Sequence, residues 1–226
     1  MAFKLASVST LAITAALGLT MGACASMPGW GGAGTNPAVQ APAQVQWVRD
    51  VHSHARPEIA RVRHVDLDLT ADFDRKVLSG TATLDISGRA GADQIVLDVR
   101  NLDIESVSDG AGRAMTWRLG ASDPILGQAL EIELPPLSAG ETRKLVINYA
   151  TRPDAAALQW LNPSQTAGGE QPYLFSQGQA ILTRTWIPTQ DSPGIRQSYS
   201  ARIVVPEDLK AVMSAEMLTP EGEPAG

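Results

Sequence analysis

From Val65 onward apolar and polar residues take turns. Val65, Leu67, Leu69, Ala71 and Phe73 lie two apart, and after a turn at Asp74 to Val77 the residues Leu78, Ala82, Leu84 and Ile86 keep the same period. A period of two puts alternate side chains on opposite faces, so this pair predicts a half-buried β-hairpin. The pattern returns at Ile95, Leu97 and Val99, at Leu102, Ile104 and Val107, at Leu130, Ile132 and Leu134, and at Leu145, Ile147 and Tyr149. Asp109-Gly110 and Ala139-Gly140 supply turns between these runs, and Pro135-Pro136 ends one of them because neither residue donates a ladder hydrogen bond. Further on, a strand predicted from Tyr173 carries Tyr173, Phe175, Gln177 and Gln179 on one face. Tyr199, Ala201, Ile203 and Val205 predict another, and after the turn at Pro206-Glu207-Asp208 so do Leu209, Ala211, Met213, Ala215 and Met217, whose methionines read as core fillers. Antiparallel sheets closing over one core are the economical arrangement, so the expected class is all-β, an antiparallel sandwich.

The first 57 residues lack this pattern and divide in two. Residues 1–24 read as an export signal, with Lys4 ahead of the apolar run Leu5 to Leu19, which is short for a membrane-spanning helix. Cys24, the only cysteine of the 226 residues, follows Gly22-Ala23 as in a bacterial lipobox, where the cysteine is acylated and becomes the mature N-terminus. The competing reading uses Ala23-Cys24-Ala25 as an ordinary signal-peptidase site and releases a soluble periplasmic protein. Residues 25–57 are rich in Gly, Pro, Ala and Gln and read as a flexible tether, leaving 58–226 as the folded β domain. The expected location is the periplasm, with the chain held on the outer membrane through a lipid at Cys24.

Composition adds exclusions. With 44% hydrophobic and 19% charged residues the chain is ordinary globular material, and 20 glycines with 15 prolines suit a β protein of many turns. A formal charge of −6 without any basic cluster argues against a nucleic-acid partner. A single cysteine rules out an intramolecular disulfide. His52, His54 and His64 tempt a metal reading, but a zinc site needs three or four ligands and two of these histidines fall in the tether, so no metal site is assigned to this chain. The sequence contains no Gly-x-Ser-x-Gly elbow, and Gly29 to Gly34 lacks the Lys-Ser/Thr ending of a phosphate loop. What remains is Tyr173 to Gln179, where two carboxamides beside two aromatic rings suit a small polar group held against an apolar wall; an amphipathic edge strand with exposed glutamines is the plainer reading of the same residues.

The run ALQWLNPSQTAGGEQPYLFSQGQAILTRTWIPTQDSP, Ala157 to Pro193, resembles the alanyl-aminopeptidase family of zinc metallopeptidases, the gluzincins, in its leukotriene-A hydrolase-like bacterial branch. The resemblance rests on Leu158 to Leu161, on Tyr173 to Ala180, and on Arg184, Pro188, Asp191 and Pro193, with weaker similarity from about Arg61 to about Met217. It implies a saddle-like N-terminal β domain that lies over a zinc-bearing catalytic domain and lends it part of the substrate pocket. By position, Gln179 matches the residue that accepts hydrogen bonds from the substrate α-ammonium, Ala180 a neighbour whose backbone lines the first pocket, and Gln177 the preceding glutamine near it. Arg184, Pro188, Asp191 and Pro193 are read as turn and pairing residues. The family's His-Glu-x-x-His and Gly-x-Met-Glu-Asn motifs do not occur in the 226 residues. The expectation is therefore a scaffold and substrate-pocket domain without catalytic residues or a cofactor of its own, partnered by a catalytic domain of the same or a split chain and taking a peptide N-terminus as substrate, with zinc belonging to the full-length enzyme. The alternative is a stand-alone β-rich binding or scaffold lipoprotein without catalysis.

Overall fold

A computed structural model describes residues 48–225. The hairpin read from the alternating residues is its spine. Strands β1 (Ala60–Asp72) and β2 (Val77–Gly88) pair antiparallel from Ala60↔Gly88 to Asp72↔Val77, and β7 (Thr142–Ala150) adds to the far side of β2. Strand β4 (Asp103–Asp109) closes that edge on β7, and β10 (Ser198–Val204) closes the other on β1, giving the order β10-β1-β2-β7-β4. All pairs are antiparallel except β1 with β10, which run parallel, so the expectation of antiparallel sheets holds with this one exception. A second sheet, β3-β6-β5, comprises β3 (Gln94–Val99), β5 (Trp117–Leu119) and β6 (Gln128–Glu133).

Alternation decides which side of each strand is buried. In β1 the residues Val65, Leu67 and Leu69 are buried while Asp66, Asp68 and Thr70 are exposed, and they join Leu84 and Ile86 of β2, Leu145 and Ile147 of β7, and Ile95, Leu97, Leu130 and Ile132 of the second sheet in one contiguous core. Each fully buried leucine or isoleucine there stabilises the fold by about 1.5–3 kcal/mol through water removal. Strand β3 departs from alternation, because Ile95, Val96, Leu97, Asp98 and Val99 are all buried. Gly80, inside β2, takes φ +145, and a Cβ at that position would run into the carbonyl oxygen of Asp68 on β1.

Two expectations need correction. The strand starting at Tyr173 ends at Ser176, so Gln177 and Gln179 lie beyond it, in irregular backbone. Leu209 to Met217 alternate in sequence yet form no strand; backbone groups there find no ladder partner among the described residues, and a strand without one has nothing to stabilise it. Within the stretch read as a tether, residues 48–57 are described, and Ser53 to Ala55 are half-buried against the folded domain.

Candidate functional site

Strands β8 (Leu158–Leu161) and β9 (Tyr173–Ser176) form a two-stranded antiparallel sheet in register from Leu158↔Ser176 to Leu161↔Tyr173. Their connection is held by its own polar groups: Asn162 N–H donates to Gln165 Oε1 at 3.0 Å, and the Thr166 hydroxyl lies 2.8 Å from the carbonyls of Pro163 and Gln171. On the face of β9 that carries them, Tyr173 is 54% and Phe175 42% exposed. Leu161, Gln165, Tyr173, Leu209 and Lys210 help line an open cleft of about 540 Å³ beside this hairpin.

After β9 the backbone turns away. Gln177 N–H makes a last bond to Ala157 O at 2.8 Å, Gln177 Oε1 accepts from Gln179 N–H at 3.0 Å, and Leu182 N–H returns to Gly178 O at 2.8 Å. The peptide between Gln179 and Ala180 is cis. Gln177, Gln179 and Ala180 are thus gathered in one short exposed loop, with the Gln177 carboxamide engaged by the backbone two residues on. Gly178 permits the close return, since a Cβ there would approach Thr183 Oγ1 to 2.5 Å.

The chain runs from the loop into a buried charge cluster. Arg184, in the 3-10 turn Thr183–Thr185, has no solvent exposure. Its Nε donates to Asp191 Oδ2 at 3.2 Å, Nη1 to Leu126 O at 2.8 Å, and Nη2 to His52 O at 2.8 Å and Asp191 O at 3.0 Å, while Asp98 Oδ1 lies 3.7 Å from Nη1. Asp98, equally buried, accepts from Ser53 Oγ at 2.6 Å, His54 N–H at 2.7 Å and Asp191 N–H at 3.0 Å. Burial pushes the Asp191 carboxyl above its usual value, against the opposing pull of Arg184. Asp50 goes the other way: hydrogen bonds from the Ser192 hydroxyl, 2.6 Å away, and from His52 N–H hold it below the usual carboxylate value. Next to the cluster the buried Gln190 carboxamide accepts from Val62 N–H at 3.0 Å and donates to Ala60 O and Val96 O at 3.0 and 3.2 Å, joining the two sheets.

Arg184 and Asp191 act as pairing residues, as read from the sequence. Asp98 and Gln190 were not foreseen; the one available signal was a lone acid inside the apolar run Ile95 to Val99. The histidines are separated. His52 faces Asp50 at 3.5 Å, and His64 sits on β1 between Ser198 Oγ at 2.8 Å and Ser200 Oγ at 3.0 Å on β10. Among the described residues no three His, Cys, Asp or Glu side chains converge to hold a metal ion. Cys24 lies outside the described residues.

Comparison with known proteins gives the arrangement its relatives. Residues 61–222 match the model of the peptidase M1 N-terminal domain. Over 168 residues the chain is 38% identical to leukotriene A-4 hydrolase of Xenopus laevis, covering 74% of this chain and 27% of that protein. It is 34% identical over 155 residues to leucine aminopeptidase 2 of Yarrowia lipolytica, covering 69% and 24%. Among solved structures, yeast LTA4 hydrolase in complex with bestatin superposes with a TM-score of 0.64 at 30% identity, over 72% of this chain and 26% of that one. The M1 zinc metallopeptidase from Deinococcus radiodurans does so with a TM-score of 0.51 at 28% identity, over 66% and 33%. The chain thus spans about a quarter of the length of its curated relatives. With the family model matched along most of its folded length, this chain belongs to the peptidase M1 family and carries that family's N-terminal domain.

Proposed function

We propose that this chain supplies the substrate-pocket and scaffold domain of an exported zinc aminopeptidase, with hydrolysis performed by a catalytic domain of the same or a split chain. The supporting observation is the exposed Gln179 loop, closed by Leu182 N–H on Gly178 O just ahead of the turn that holds the fully buried Arg184. Gln179 is the group that accepts from the α-ammonium of a peptide N-terminus. An amide oxygen does this without placing a second negative charge beside a carboxylate that the catalytic domain contributes. Gln177 holds the loop in shape, and the Ala180 backbone lines the first side-chain pocket. Zinc belongs to the partner domain. The leader exports the chain, and an acylated Cys24 holds it on the outer membrane.

The decisive measurement is hydrolysis of alanyl and arginyl chromogenic amides by the chain alone and with the catalytic region supplied in cis or in trans. The expected result is turnover only in the reconstituted enzyme. Gln179→Ala there lowers kcat/KM by about 10- to 100-fold, the loss of one hydrogen bond to a charged group, with the unfolding midpoint unchanged. A reconstituted variant with undiminished kcat/KM would refute the assignment. For the anchor, a labelled fatty acid is expected to be incorporated into the wild type and absent from Cys24→Ser, which moves to the soluble periplasm; equal membrane partitioning of both rejects it.

A second reading, a stand-alone binding lipoprotein, is favoured by the open cleft beside Tyr173. Tight retention of peptides by the chain alone, with no gain from a catalytic partner, would select it.

A further inference from the structure

We infer that residues Asp50 to Ala55 form a docked strap that positions the Gln177–Ala180 loop, so that releasing the strap loosens the loop. The strap is fastened at three points. Ser53 Oγ and His54 N–H donate to the two oxygens of Asp98 at 2.6 and 2.7 Å, Asp50 Oδ2 accepts from Ser192 Oγ at 2.6 Å, and His52 O accepts from Arg184 Nη2 at 2.8 Å. Ala55 N–H to Ser53 Oγ, 3.0 Å, fixes the strap's own curvature.

The three receiving groups lie on, or are bonded to, the segment that carries the loop. Ser192 follows Asp191; Asp98 accepts from Asp191 N–H; and Asp191 binds both the backbone N–H and the Nε of Arg184 at 3.2 Å. From Arg184 the path to the loop is short. Its neighbour Thr185 accepts from Ala157 N–H at 3.0 Å and donates to Leu182 O at 2.7 Å, and Leu182 N–H ends on Gly178 O, between the two glutamines.

Burial makes the coupling energetic. Asp98 and Arg184 are fully buried. Without the strap, Asp98 loses the Ser53 and His54 donors and Arg184 loses one of its carbonyl acceptors. Buried charges left short of partners are costly, so the segment relaxes towards solvent. By linkage, whatever orders the loop also favours the docked strap. The docking does not depend on the aminopeptidase reading; its effect on capture of a substrate ammonium does.

Hydrogen exchange of the full chain, followed by peptide mass spectrometry, tests the coupling without any activity. Ser53→Ala is expected to speed exchange about tenfold both in residues 50–55 and at the amides of Leu182, Thr185 and Ile187, while β2 and β7 keep their protection; leaving one buried acceptor short of a donor produces a change of that size. Ser53→Thr, which keeps the hydroxyl, restores protection in both segments. Asp50→Ala, which removes the Ser192 acceptor, reproduces the Ser53→Ala pattern. Acceleration confined to residues 50–55, or spread evenly over β2 and β7, would overturn the inference. Coupled exchange in a chain that never supports peptide hydrolysis would sustain the strap and remove only the aminopeptidase reading.

Discussion

Two carboxylates near Arg184, Asp191 hydrogen-bonded to it directly and Asp50 hydrogen-bonded to the Ser192 that follows Asp191, titrate in opposite senses. Asp50 is held below its ordinary value of 3.8, chiefly by Ser192. A lowered carboxylate contributes stability that is complete above the unfolded value and is lost as pH falls through the folded one. Asp191 is raised from 3.8, chiefly by burial. Between 3.8 and that raised value the folded state binds the extra proton, so its contribution declines as pH rises through the window. In denaturant titrations across the acid range, the stability gap between wild type and Asp50→Asn should therefore shrink with acidification below 3.8. The gap between wild type and Asp191→Asn should instead move in favour of wild type as pH is lowered from above the raised value towards 3.8. The same trend in both pairs would show that the cluster titrates as one unit. Arg184 and Asp191 were legible in the sequence through a known spacing. Asp98 and Gln190 were not, because a polar residue between apolar ones reads as the solvent side of a half-buried strand. Only the second layer over β3, which lies far away in sequence, converts that side into interior.

Among the elements, the β1–β2 hairpin was legible because one of its faces meets the core and the other meets water. Gly80 marks where that regularity stops. At φ +145, with the Asp68 carbonyl in the space of a Cβ, it is a position inside the hairpin where a side chain has no room. Gly80→Ala is expected to cost about 1–3 kcal/mol, read as a lowered urea midpoint at unchanged m-value, whereas a midpoint within error of wild type would mean that β1 shifts freely to make room. Periodicity failed where pairing, rather than pattern, decides. Tyr173 to Gln179 alternate, but β8 offers only four residues to pair with, and the chain leaves the ladder after its last bond to Ala157. Leu209 to Met217 alternate as well and find no neighbouring strand among the described residues. Trp117–Leu119 pairs with β6 despite lacking any alternation long enough to notice.

Seen whole, the domain buries one core thoroughly and leaves Tyr173 and Phe175 on its surface, next to the Gln179 loop. Two half-exposed aromatic rings on one hairpin face make an apolar patch available to other apolar surfaces. The isolated chain is expected to bind a hydrophobic dye and to self-associate in size-exclusion chromatography. Tyr173→Ser with Phe175→Ser should abolish both while shifting stability by no more than about 0.5 kcal/mol, as surface changes do; undiminished dye binding in that variant would place the sticky surface elsewhere. The parallel β1–β10 pair also sets a clock. His64 meets Ser198 across 134 positions of sequence, with every other described strand lying between them in the chain. A ribosome adding about 5–20 residues per second needs roughly 7 to 27 seconds to deliver the second partner after the first. Through that interval the nascent chain carries β1 with a bare row of amide and carbonyl groups along one side, a template for any other unpaired strand nearby. Until Ser198 emerges, that row stays open to pairing with another strand, and a ribosome stalled before it leaves a product with an uncovered sheet edge.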